Sequence, residues 1–207
     1  PDTDTYAVMI AASIAMFLTA GGKFRDVGLM IVAGVVLVAI LAFMRPYVKE
    51  RIMTFIDPDK DKQGSGWQVN QSLIAIGGGG AFGRGFGQSI QKFDYLPEPI
   101  GDSIFAVYSE EFGFLGSSLL ILIFSAFAFR GFRIASHAPD LFSMLLVVGF
   151  ITLIVTQAFL NIGAMLGVAP LSGLTLPFIS HGGTSLLALL LAVGIVLNVS
   201  KYQKSSV

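Results

Sequence analysis

The sequence predicts an all-α fold: a polytopic bundle of transmembrane helices interrupted by one long extracytoplasmic loop. Three observations carry this. Apolar residues make up 54% of the 207 and charged residues only 13%, against about 25% charged in soluble domains. Five apolar stretches approach the roughly 20 residues needed to cross about 30 Å of hydrocarbon. Between the second and third, residues 45–111 gather charge, glycine and proline into one segment. A surface so poor in charge faces something other than water.

The spans follow in order. Tyr6–Gly22 is the first and a little short, and Val27–Met44 is the second, without a charge. Phe112–Phe129 is the third, Leu141–Gly167 the fourth and long enough to tilt, and Thr184–Ser200 the fifth. Only His181 is ionisable between Asp140 and Lys201, so the last two spans are the clearest. The chain opens at Pro1 with no signal-peptide pattern, which reads as the C-terminal part of a larger polytopic protein. It forms one integral membrane domain, residues 1–207.

Orientation follows from Lys and Arg in short connections. Lys23 and Arg25, Arg130 and Arg133, and Lys201 and Lys204 share one side if there are five spans. That side is expected to be cytoplasmic, which puts the long loop and the Val168–Gly183 connection on the opposite face. Net charge is zero, so no bulk field argues for a nucleic acid partner. The chain has no cysteine, which excludes disulfides and thiolate chemistry.

Within the loop, Trp67–Ile76 reads as a short amphipathic or re-entrant helix, ended by the glycines that follow it. Irregular backbone at membrane depth survives only when protein buries it or it lines a wet cavity. A cavity open to the loop side is therefore expected. Asp57-Pro-Asp-Lys-Asp61 spaces carboxylates like a calcium loop, but Lys62 and Gln68 fall where glycine and glutamate are required. A solvated turn is the better reading. The run Gly77–Gly87 has no preceding strand and no Gly-Lys-Ser/Thr, so nucleotide fingerprints fail. It is either a flexible connector or a close helix packing through small residues, or an N–H nest that holds an anion with Arg84 and Lys92.

Asp102 stands beside Gly101 at the edge of an apolar stretch. Partial desolvation there would raise its pKa and suit it to general-base work; an N-cap role is the plainer alternative. Glu98, Glu110 and Glu111 are rivals, and the adjacent glutamates could simply sit among headgroups. Gln157 and Asn161, four apart, share one helix face, as helix-to-helix hydrogen bonding requires. Pro170, Gly173 and Pro177 make the Val168–Gly183 connection rigid and non-helical. His181, beside Gly182 and Gly183, is either interfacial or a pocket group. No Ser–His–Asp set, HExxH or CxxC occurs, nor a ladder of intramembrane acids.

Three stretches then become recognisable: residues 64–76 (GSGWQVNQSLIAI), 95–107 (YLPEPIGDSIFAV) and 173–183 (GLTLPFISHGG). With Glu110-Glu-Phe-Gly-Phe-Leu-Gly116 and Asn161-Ile-Gly163, they resemble the SEDS family (FtsW/RodA/SpoVE), polytopic proteins that polymerise lipid II into glycan strands. Pro97–Phe105 is closer to the division branch than to the elongation branch. Asp4 stands where the family's Pro-Asp-x-Gly-Thr has glycine. The resemblance implies a fold of about ten helices, with about the last five supplied here. It implies that Asp102 matches the family's essential aspartate.

The resemblance further implies a bacterial inner-membrane peptidoglycan glycosyltransferase working on the extracytoplasmic face in septal wall synthesis. Asp102 would be the catalytic residue. Arg84, Lys92, Glu98, Gln68, Gln71, Ser180 and His181 would bind substrate, and a divalent cation, Mg or Mn, would assist. No nucleotide, haem or flavin is expected. Implied partners are lipid II, the lipid bilayer, a class B penicillin-binding transpeptidase and divisome proteins, and no nucleic acid. A lipid II flippase or a scaffold recruiting the transpeptidase are the alternatives.

Overall fold

The computed structural model describes residues 3–44, 53–55 and 64–203. Among the described residues, besides the helical residues 53–55, seven helices follow in order: α1 Thr3–Thr19, α2 Phe24–Met44, α3 Ser65–Gly78, α4 Gln91–Asp94, α5 Ile104–Ser136, α6 Leu141–Met165 and α7 Gly183–Lys201. No strand occurs among the described residues. The helices α5, α6 and α7 are long and apolar enough to cross a membrane, and α1 is apolar but shorter. Large apolar side chains stay exposed along α2, α5 and α7, among them Val35, Leu122 and Leu187. Such faces are too extensive for contact with water. The calcium-like run 57–61, with Lys62, lies outside the described residues, as do Pro1, Asp2, Arg45 and Lys204.

Two apolar cores hold the bundle. One joins α3, α5, α6 and the 168–183 connection through Ala75, Phe105, Ala106, Ile162, Met165 and Leu176. The other lies further along the helices, where Ala135 of α5 meets Val147, Val148 and Ile151 of α6 and Val196 and Val199 of α7. On α6, Met165 and Val147 are 18 residues apart, about 27 Å along the axis. A Cβ on Gly149 would strike Met16 Sδ, so the end of α1 lies beside the second core. Lys23, Arg25, Arg130, Arg133 and Lys201 therefore all belong to that end.

The third span departs from expectation. It begins at Ile104 rather than Phe112 and runs 33 residues, kinked at Gly113, where φ is 66° and ψ is −164°. The apolar window had excluded the charged Glu110-Glu111; the structure pairs those charges, so the helix runs through them. At the kink the helical hydrogen-bond ladder is interrupted. The glycine run supplies substitutes. Arg84 N–H donates to Glu110 O at 3.0 Å and Gly85 N–H to Glu111 O at 3.0 Å. In return, Phe114 N–H donates to Gly80 O at 2.8 Å and Leu115 N–H to Ala81 O at 3.1 Å.

This exchange explains the glycines. A Cβ on Gly83 would strike the Glu111 carbonyl, and one on Gly113 would strike Gly83 N. Both residues also hold positive φ, which costs a side-chain-bearing residue energy. Of the two readings of the run, close backbone packing is what is built. The N–H groups of Gly83, Arg84 and Gly85 face protein carbonyls. The amphipathic helix expected at Trp67–Ile76 is α3, which extends over Gly77 and Gly78 before Gly79 caps it.

Candidate active site

Four segments converge on Asp102. The turn 95–103 carries it, α3 brings Gln68, α6 brings Asn161 and the 168–183 connection brings Ser180. Gln68 Nε2 donates to Asp102 Oδ1 at 3.3 Å and to Ser103 Oγ at 2.9 Å. Ser103 Oγ lies 3.4 Å from the same carboxylate oxygen. Asn161 Nδ2 donates to the Asp102 carbonyl at 2.6 Å and to the Leu174 carbonyl at 2.7 Å. Ser180 Oγ donates to Gly101 O at 2.6 Å, and His181 N–H to Ile100 O at 2.9 Å. The backbone around the carboxylate is thus tied to two other segments.

The expected N-cap role does not occur. Ser103 occupies the N-cap of α5, and no side chain caps that terminus. The carboxylate instead turns toward α3. Only two non-glycine residues among those described have positive φ, Glu98 at 45° and Phe178 at 67°. They lie in the two turns that meet here. Strained backbone of this kind persists only where its surroundings impose it.

Electrostatics single out the same residue. Burial pushes the Asp102 carboxyl above its ordinary value of 3.8, the Glu98 charge pushes it further, and hydrogen bonds from Gln68 and Ser103 partly offset both. No Lys, Arg or His among the described residues forms an ion pair with it. A partly desolvated carboxylate held by neutral donors has a raised affinity for a proton, which is what a general base uses.

The other site candidates divide. Gln68 and Ser180 reach the Asp102 turn directly. Glu98 is exposed, and its Oε2 lies close over Gly101. Gln71, one turn beyond Gln68, is buried. The side chain of His181 is exposed and only its backbone N–H ties to the turn. Arg84 and Lys92 stand about two helical turns away from Asp102, in an ion cluster. Arg84 Nε meets Glu110 Oε1 at 3.2 Å, and Lys92 Nζ meets Glu111 Oε1 at 2.8 Å. Glu110 is buried and also accepts from Ser89 Oγ at 2.6 Å and from Ile90 and Gln91 N–H at 3.2 Å each. Glu110 and Glu111 are therefore anchors of the 84–92 loop rather than headgroup residues.

Among the described residues no three His, Asp or Glu side chains converge. Asp102 and Glu98 offer two neighbouring carboxylates, a donor set that suits magnesium only when substrate phosphates complete the shell.

A family profile described as cell cycle protein, FTSW_RODA_SPOVE, matches residues 1–205. The chain belongs to this family. Stage V sporulation protein E of Bacillus subtilis is 47% identical over 207 residues, covering 99% of this chain and 56% of that protein. A probable peptidoglycan glycosyltransferase FtsW from Thioalkalivibrio sulfidiphilus is 40% identical over 204 residues, 97% of this chain and 51% of the relative. A solved structure, described as "Structural coordination of polymerization and crosslinking by a peptidoglycan synthase complex", matches with TM-score 0.78 and 33% identity. That match covers 100% of this chain and 57% of the other. The chain spans about half the length of the curated relatives it matches.

The FtsW/RodA/SpoVE family is one of membrane proteins, in keeping with the three long apolar helices. Within this member, two features escaped the sequence reading. Ser103 was hidden because a serine after an aspartate looks like any turn. Asn161 and Gln157 do share a face, but they serve the 168–183 connection rather than a neighbouring helix. Gln157 Nε2 donates to Thr175 O at 2.8 Å, just as Asn161 holds Leu174 O. The rigid, proline-bearing connection was the available signal, since its backbone carbonyls need donors.

Proposed function

We propose that the complete protein is a peptidoglycan glycosyltransferase that polymerises lipid II, with Asp102 as general base. The observation that carries this reading is a partly buried carboxylate without a cationic partner among the described residues, its backbone clamped from α6 and from the 168–183 connection. Asp102 takes the proton of the acceptor sugar's 4-hydroxyl as that oxygen attacks the donor's anomeric carbon. The C1–O bond breaks, and undecaprenyl pyrophosphate leaves with the electron pair. One displacement inverts the α-linked donor to a β-1,4 bond.

Gln68 and Ser180 orient the base and its turn, buried Gln71 backs Gln68 on α3, and Glu98 and His181 contact the sugars or their lipid carrier. Arg84, whose side chain is 42% exposed, retains N–H groups beyond its contact with Glu110. With Lys92 it offsets charge on the departing pyrophosphate. A divalent cation held through Glu98 and phosphate oxygens would add to that neutralisation. The Asp102 face is the extracytoplasmic face of the bacterial inner membrane. A transpeptidase that crosslinks the strands is the partner, and the septum with its divisome is the place. Relatives named as glycosyltransferases and the matched synthase complex support this reading.

The test uses the purified full-length protein, lipid II and gel separation of glycan products. Asp102→Asn is expected to abolish polymer while the protein elutes and melts like the parent. Polymer at the parental rate would refute the assignment.

A further inference from the structure

The bundle carries a cavity at the end away from Asp102. It holds about 740 Å³ between α5, α6 and α7. Its walls are divided by chemistry. Ile134 of α5 with Val193 and Leu197 of α7 make an apolar floor, while Arg130, Arg133 and His137 line one side. Gly131 makes this shape possible, because α5 closes onto Ile151 there, while α7 stands off further along.

The three basic residues recur at intervals of three and four, so they occupy one face of α5. Neither arginine has a carboxylate within ion-pair distance among the described residues. The imidazole Nδ1 of His137 lies 2.9 Å from Arg133 O and 3.0 Å from Ser136 Oγ, which fixes the ring at the cavity wall. A topological bias toward Lys and Arg accounts for cations at this end. It does not account for two unpaired arginines and a histidine converging on a void with a greasy floor. Contrast Arg84 and Lys92 at the other end, each paired with its own glutamate.

We propose that this cavity binds an anionic phospholipid, its phosphate between Arg130 and Arg133 and an acyl chain along Ile134, Val193 and Leu197. An amphiphile with a phosphodiester head matches both halves of the lining. Basic pockets between spans are the usual way membrane proteins hold such headgroups. A free phosphate would satisfy the arginines but leave the apolar floor uncovered.

Native mass spectrometry of the full-length protein, extracted from nanodiscs of phosphatidylcholine with phosphatidylglycerol, reads the site directly. One phosphatidylglycerol is expected to be retained in preference to phosphatidylcholine, and millimolar inorganic phosphate should not displace it. Arg130→Gln with Arg133→Gln should lower retention about thirtyfold, by the usual increment per basic residue at an anionic surface. Leu197→Trp, at an exposed lining position, fills the floor and keeps both arginines; it should lower retention as well, and guards against misfolding of the double variant. Equal retention of both lipids, full retention by either variant with parental melting, or complete displacement by inorganic phosphate would overturn the proposal.

Discussion

Two carboxylate sites sit within ten residues of one another and are built in opposite ways. Asp102 is partly buried, receives only neutral donors and has its pKa raised. Glu110 and Glu111 are buried more deeply, yet each meets a cation, Glu110 with three further N–H or O–H groups and Glu111 with the Ser89 N–H. The difference is one of available capacity. A carboxylate with every lone pair engaged by charge-assisted bonds holds structure in place. A carboxylate with two long contacts from neutral groups, and no counter-charge among the described residues, keeps affinity for a proton. Proximity in sequence would make the three acids interchangeable; their partners separate them.

The largest expected effect comes from Asp102 and falls on activity alone. Removing a general base costs roughly 10²–10⁴-fold in rate, and Asp102→Asn should lose at least that in lipid II polymerisation by the full-length protein. Its melting temperature at neutral pH should be equal or higher. A carboxyl whose folded pKa lies above 3.8 stabilises the fold below that value, and the contribution is lost as pH rises through the folded pKa. Asparagine removes this penalty. By the same shift, polymerisation should rise with pH through an inflection above 3.8, since the base must be deprotonated. An inflection at or below 3.8 would mean that the raised Asp102 is not the group titrating.

Next comes Glu110, where the effect should fall on stability. Glu110→Ala strands Ser89 Oγ, two backbone N–H groups and the Arg84 guanidinium. A loss of about 2–4 kcal/mol is expected, read by thermal or denaturant unfolding in detergent. A neutral result would show that the kink is held by the backbone exchange alone. Gly83→Ala probes that exchange separately and should cost about 1–3 kcal/mol, since a side chain is forced into positive φ against a carbonyl.

Asn161→Ala should be intermediate. It removes both donors that clamp Asp102 O and Leu174 O, so kcat should fall about tenfold with little change in KM. A change in KM alone would make it a substrate contact instead. Smallest is Lys92→Gln, about 1 kcal/mol, because Lys92 is partly exposed and Glu111 keeps the Ser89 N–H as a neighbour at 3.4 Å.

Much of this was legible beforehand. The spans over α6 and α7 came from uninterrupted apolar runs, and the α3 helix from its pattern followed by glycine. Asp102 stood out because a carboxylate beside glycine at the start of an apolar run is costly without a use. What the sequence hid was pairing across distance. Nothing local says that Glu110-Glu111 meet Arg84 and Lys92 some twenty residues upstream, so the start of α5 was placed too late. Nor does local pattern reveal that a glycine run mends the ladder at a kink thirty residues on. The donors Asn161 and Gln157 read as helix-packing groups because their acceptors are backbone carbonyls, which no side-chain pattern marks.

The contrast between the two sites is tested most directly by measuring polymerisation and melting temperature together for full-length Asp102→Asn and Glu111→Gln. The account expects a crossed result. Asp102→Asn should yield no polymer and an unchanged or raised melting temperature, and Glu111→Gln should yield polymer and a lowered one. Polymer from Asp102→Asn at the parental rate, or its loss only in proportion to lost stability, would contradict the assignment of the base.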